Sequence, residues 1–126
     1  MFVPIILIMI IVAIVIHEGS HVLAATFFGG RWVGIRIRGY SIAVVIDTAR
    51  LTVQDRRMVA LAGLIVDGLG FMGSFLWLAN YPSQLALAAM IWWGTSVVIN
   101  SCPYIPRSDG WRLYHNNFVP TPNSQF

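Results

Sequence analysis

Residues 2–21 read FVPIILIMIIVAIVIHEGSH, a stretch that opens as lipid-facing helix and closes on two imidazoles and a carboxylate. No charge occurs between Phe2 and Ile16. An ionisable side chain costs about 2.5–3.5 kcal/mol at the centre of a bilayer, so His17, Glu18 and His21 need a reason to stand where they do. Either they pair with groups on other segments, or they hold something.

Composition sets the frame. Of 126 residues, 57% are hydrophobic and only 10% charged, and the mean hydropathy is +0.72, outside the range of a soluble globular domain. This reads as an integral, multi-pass membrane protein made of a single unit over residues 1–126. Three segments approach the 20 or so apolar residues that a spanning helix needs, at about 2–28, 58–79 and 84–99. Gly29-Gly30 would end the first, and Pro103 and Pro106 would stop the third from continuing. A cleaved signal peptide is not expected, because no basic residue precedes the first apolar run and that run is too long. The single cysteine, Cys102, permits no intrachain disulfide and leaves the redox compartment open.

All eight basic residues are arginines. Six of them, from Arg31 to Arg57, lie between the first two segments, and Arg107 and Arg112 follow the third. That asymmetry puts the N-terminus outside and both the long loop and the C-terminal tail in the cytoplasm, in the cell membrane. The basic charge is therefore expected to report topology, with no nucleic acid as partner. Measured from Gly29, His21 lies roughly 12 Å inside the cytoplasmic end of the first span. Asp109 falls on the same side.

Between the first two spans, RWVGIRIRGYSIAVVID alternates Ile35 and Ile37 with Arg36 and Arg38, then fills Ile42 to Ile46 with apolar, mostly β-branched residues beyond Gly39-Tyr40-Ser41. This pattern predicts a β-hairpin over about 31–47 whose second arm is too apolar to lie fully in water. The fold class is thus membrane all-α with a small β-hairpin between helices one and two. Residues 111–126 are expected to form a tail, frayed beyond Tyr114.

His17 and His21 stand four apart on one helical face and can offer two nitrogens to one ion, with Glu18 beside a water: the H-E-x-x-H pattern of zinc sites. The plainer reading makes both histidines hydrogen-bond partners at a helix-packing face, which leaves Glu18 without a role. A catalytic zinc takes a third protein ligand, and Asp109, Asp67, His115 and Cys102 are the candidates. Asp67 stands inside the second span, where a carboxylate is functional by default. Gly70 and Ser74 suit close helix approach; Trp92 and Trp93 suit packing between helices, and Trp32 and Trp111 the membrane interface.

HEGSH in the first span, a glycine-containing second span after a basic loop, and Asn100-Ser-Cys-Pro103 followed by Asp109-Gly110 together resemble the site-2 protease family of intramembrane zinc metalloproteases. The resemblance runs in order along nearly the whole chain. It implies His17, His21 and Asp109 as zinc ligands, Glu18 as the base that activates water, and Asn100 and Pro103 as residues that shape the cleft and hold substrate backbone. It also implies a hairpin that offers an edge to an unwound substrate, in a chain close to the bare catalytic core. One departure stands out: family members carry G-P-x-x-N in the second core span, whereas here Gly63-Leu64-Ile65-Val66-Asp67 has Leu for Pro and Asp for Asn. Asp67 is therefore also an alternative ligand or a modulator of the site.

The expected function is hydrolysis of peptide bonds in or near transmembrane segments of membrane proteins or peptides, with Zn2+ as cofactor and the lipid bilayer as surroundings. A second copy or an accessory membrane protein would seal a three-helix cleft. The rival readings are a non-catalytic metal-binding membrane subunit or transporter component, in which Glu18 is dispensable, and an adaptor that binds no stoichiometric zinc.

Overall fold

The computed structural model describes residues 3–38 and 41–115. Met1, Phe2, Gly39, Tyr40 and residues 116–126 lie outside the described residues, and the expected fraying of the tail falls there. The elements are α1 (Val3–Phe27), β1 (Arg31–Arg38), β2 (Ser41–Asp47), α2 (Val53–Asn80), α3 (Gln84–Ser101) and α4 (Asp109–Tyr114).

Helix α1 ends where the glycine pair required. Gly29 adopts φ +88°, a left-handed conformation open to glycine without strain. Gly30 N–H then reaches back to Ala25 O at 2.8 Å and Gly29 N–H to Thr26 O at 3.1 Å, the paired bonds of a Schellman cap. The chain leaves this cap directly into β1, which pairs antiparallel with β2 from Arg31↔Asp47 to Arg38↔Ser41, with a bulge at Val33.

The hairpin lies where the sequence placed it, and its second arm packs inward. Ile46 is 1% exposed and forms a small core with Ala25, Leu51 and Val59. That core fixes the hairpin against the ends of α1 and α2 nearest the loop.

Helix α2 starts at Val53, earlier than the expected Met58, because Thr52 and Asp55 form a capping box: the Thr52 side chain accepts from Asp55 N–H, and the Asp55 carboxylate accepts from Thr52 N–H. Two orphan donors are satisfied there, and Arg56 and Arg57 are drawn into the helix. Arg56 is buried, its Nη2 donating to Thr48 O at 3.1 Å. Along the same helix Gly70 lies under the Trp93 ring so closely that a Cβ would collide with it, which brings α3 against α2 and gives Trp93 the packing role its mid-helix position suggested. A further correction concerns residue 111, expected in the tail. Trp111 instead belongs to α4, capped by the Ser108 hydroxyl, which accepts from Trp111 N–H.

Among the described residues two helices, α1 and α2, are long and apolar enough to cross a membrane, rather than the three expected. α3 has only 18 residues, and Gln84, Thr95, Ser96, Asn100 and Ser101 dilute its apolar content. On α1 the side chains of Val3, Leu7, Ile8, Ile11 and Val15 are exposed, an apolar face far larger than a soluble surface carries.

Candidate metal centre

The second half of α1 brings His17 and His21 to one face, directed at α2 and α4. His21 is 4% exposed, and its Nδ1 lies 2.8 Å from Val59 O. His17 Nδ1 lies 2.8 Å from Asp67 Oδ1. A carbonyl and a carboxylate only accept, so each ring donates outward from Nδ1 and turns the Nε2 lone pair inward.

Asp109, in the first turn of α4 and 4% exposed, completes the cluster. Its Oδ2 lies 3.3 Å from His21 Nε2 and 3.5 Å from His17 Nε2, and the two Nε2 atoms are 3.3 Å apart. With both Nδ1 atoms carrying the protons, this last approach is between two lone pairs and not a hydrogen bond. Among the described residues Asp109 Oδ2 has no hydrogen-bond partner although it is buried. Three acceptors that converge without a donor call for a cation. Tetrahedral zinc, at about 2.0–2.1 Å from each ligand, would separate its ligand atoms by ~3.3–3.4 Å, and the edges of 3.3, 3.3 and 3.5 Å lie close to that value. His17, His21 and Asp109 are the group that could hold a metal ion.

Room for this triangle comes from Gly63. A Cβ there would lie 2.5 Å from Asp109 Oδ2 and 2.6 Å from His21 Nε2. Gly63 and Asp67, the two ends of the G-x-x-x-D stretch, stand four apart on one face of α2, one leaving space for the donors and the other bonded to His17.

The remaining residues sort by position. Glu18, next to His17, accepts from Val44 N–H at 3.0 Å through Oε2, so the candidate base is tied to β2. Asn100 Nδ2 donates to Asp67 Oδ2 at 2.8 Å, and Pro103 is half-buried in the turn after α3. Cys102 caps α3, and its carbonyl accepts from Ser108 Oγ at 2.7 Å. His115 is exposed and stacks on Trp111. Neither Cys102 nor His115 joins the cluster.

A Peptidase M50B-like family model matches residues 1–112. The chain belongs to that family, which is of the site-2 protease type. That family is one of metallopeptidases, typically zinc-dependent, and together with two helices apolar enough to span a membrane it points to a membrane protein of metallopeptidase kind. No curated protein and no solved structure matches the chain.

Several participants carried no signal in the sequence. Val59 contributes only its carbonyl, and Val44 only its N–H. Ser96, whose Oγ lies 2.9 Å from Asp67 Oδ2, belongs to no motif in the sequence. Arg112 was read as a topology determinant, yet its Nη1 lies 3.5 Å from Asp109 Oδ1; burial holds its pKa below the ordinary arginine value, against the pull of Asp109 and Glu18. The i, i+3 spacing of Asp109 and Arg112 was the only available hint.

Proposed function

We propose that this chain is an intramembrane zinc metalloprotease that hydrolyses peptide bonds in or near transmembrane segments. The observation that carries the reading is the convergence of His17, His21 and Asp109 on one point inside an apolar helix pair, with Glu18 one residue away. Bound zinc would polarise the scissile carbonyl and make a water acidic enough to deprotonate near neutral pH. Glu18 takes the proton from that water and delivers it to the leaving amine. One carboxylate oxygen can hold Val44 while the other handles the proton.

His17, His21 and Asp109 are the ligands in this reading. Asn100 and Pro103, at the end of α3, border the cleft on which substrate backbone would lie. α3, shorter and more polar than the two apolar helices, packs along α2 and turns Ser96 and Asn100 toward Asp67. The arginine asymmetry then sets the N-terminus outside and the centre at the cytoplasmic third of the membrane. A spanning substrate must first unwind, since its scissile amide is shielded by helical hydrogen bonds. The hairpin offers strand edges that can receive the freed backbone, so substrates with helix-destabilising residues near the cytoplasmic end of a single span are preferred.

One observation favours a second reading. The Glu18–Val44 bond would serve equally as a strut between α1 and β2 in a metal-binding subunit without turnover. Glu18→Gln separates the two. The protease reading expects cleavage of a single-span substrate to fall by about 10²–10⁴-fold with zinc still bound, measured on detergent-solubilised protein. Undiminished cleavage in the variant removes Glu18 as base, and no cleavage by the wild type favours the subunit.

A further inference from the structure

We propose that Asp67 is the positioning residue of the centre: its Oδ1 holds His17 with Nε2 turned to the metal, and Ser96 and Asn100 fix it there through Oδ2. The inference rests on the metal-binding reading above and assigns a role that the ligand set does not contain.

Asp67 is 0% exposed, and a buried carboxylate persists only when its lone pairs are occupied. Its occupants are specific: His17 Nδ1 at 2.8 Å on Oδ1, with Ser96 Oγ at 2.9 Å and Asn100 Nδ2 at 2.8 Å on Oδ2. Asn100 Nδ2 also reaches Ser96 Oγ at 3.2 Å, which closes the network on itself. The carboxylate meets the ring nitrogen opposite the cluster and therefore orients a ligand instead of acting as one.

His21 shows the same device in weaker form. Its Nδ1 is held by a carbonyl of α2, whereas His17 is held by a full negative charge from the same helix. A carboxylate at the outer nitrogen raises the basicity of the inner one and fixes the ring plane. Charge balance points the same way. Asp67, Asp109 and Glu18 set three negative charges against the three positive charges of Arg112, which lies against Asp109, and a divalent cation, a balance that matters in a low-dielectric setting where net charge is costly. An amide at position 67, as in the family pattern, would leave that balance one charge short. The same network gives Asn100 a second assignment: its amide nitrogen serves Asp67, so it acts on the metal through two intermediaries.

The test is zinc affinity of the detergent-solubilised full chain, measured by competition with a chromophoric chelator. Asp67→Asn should bind zinc about 10- to 100-fold more weakly. The double exchange Asp67→Asn with Asn100→Asp should recover most of the loss, since the amide introduced at 67 can donate to the carboxylate introduced at 100 and still accept from His17. Asn100→Ala, which keeps the carboxylate, should lose affinity several-fold and retain its helical circular dichroism. A merely structural Asp67 would give lowered melting temperatures without rescue of affinity by the exchange. Wild-type protein that takes up no stoichiometric zinc would overturn the proteolytic reading and this assignment with it. Wild-type binding together with unaltered affinity in Asp67→Asn, or a double exchange no better than the single one, overturns the role of Asp67 alone.

Discussion

Gly63→Ala sets two ordinary expectations against each other. In the interior of α2, alanine should stabilise the helix by about 0.8–1 kcal/mol relative to glycine. At this position, however, the added carbon would lie 2.5 Å from Asp109 Oδ2 and 2.5 Å from His21 Cε1. Ordinary non-bonded contact begins near 3.5 Å, so each neighbour has to retreat by about 1 Å. Metal sites tolerate about 0.2 Å of ligand displacement. Two of the three donors are affected, and the loss of even one is severe: about 10–16 kcal/mol of zinc binding shared by four positions is about 3 kcal/mol each, on the order of 100-fold in affinity. The displaced groups are side-chain ends that can swing aside in metal-free protein, so helicity and melting in a chelator should stay at or above the wild-type level. Chelator competition reads the first quantity and circular dichroism the second. Zinc affinity within about threefold of wild type would refute the placement of the metal between α1, α2 and α4.

Two further substitutions probe the supports of the site. Ser108→Ala removes the hydroxyl that accepts from Trp111 N–H and donates to Cys102 O; α4 should lose about 1 kcal/mol, and zinc affinity should fall several-fold because Asp109 sits in its first turn. Unchanged affinity on titration would show that α4 is held by other means. Gly70→Ala drives a methyl into the Trp93 ring and should destabilise the α2 and α3 pair by about 1–3 kcal/mol, seen as a lower melting temperature, while protein that remains folded binds zinc normally.

The elements were legible where one residue type permits one conformation. Gly29 announced the end of α1 because left-handed backbone is cheap only there, and the alternation around Arg36 and Arg38 announced the hairpin because a strand repeats every two residues. The start of α2 was misjudged because hydropathy was followed instead of capping: Thr52-Val-Gln-Asp55 is a helix start in polar clothing. Of the metal cluster, His17 and His21 were visible through helical spacing. Asp109 lies in another helix, and bringing it to them depends on the left-handed turn at Arg107, φ 72°, and on the space above Gly63. Backbone partners such as Val59 O and Val44 N–H are invisible to any reading of side chains.

Ionisable groups stand in the apolar stretch, and α3 falls short as a span, for one and the same reason. A lone histidine or carboxylate in so apolar a stretch would be costly, but here the polar atoms outside the metal cluster are matched: His17 Nδ1 to Asp67, His21 Nδ1 to Val59 O, Asp67 to Ser96 and Asn100. Ser96 and Asn100 are among the residues that lower the apolar content of α3, and they lower it by supplying the donors a buried carboxylate requires. Summed hydropathy counts them as if lipid or water were their neighbour. Their actual neighbour is Asp67, so this part of the polarity that disqualifies α3 by composition is compensated inside the helix packing. Among the described residues of this site, Asp109 Oδ2 and the two inward Nε2 atoms receive no donor from the chain, and it is that group of unmet acceptors, concentrated at one point, that a divalent cation answers.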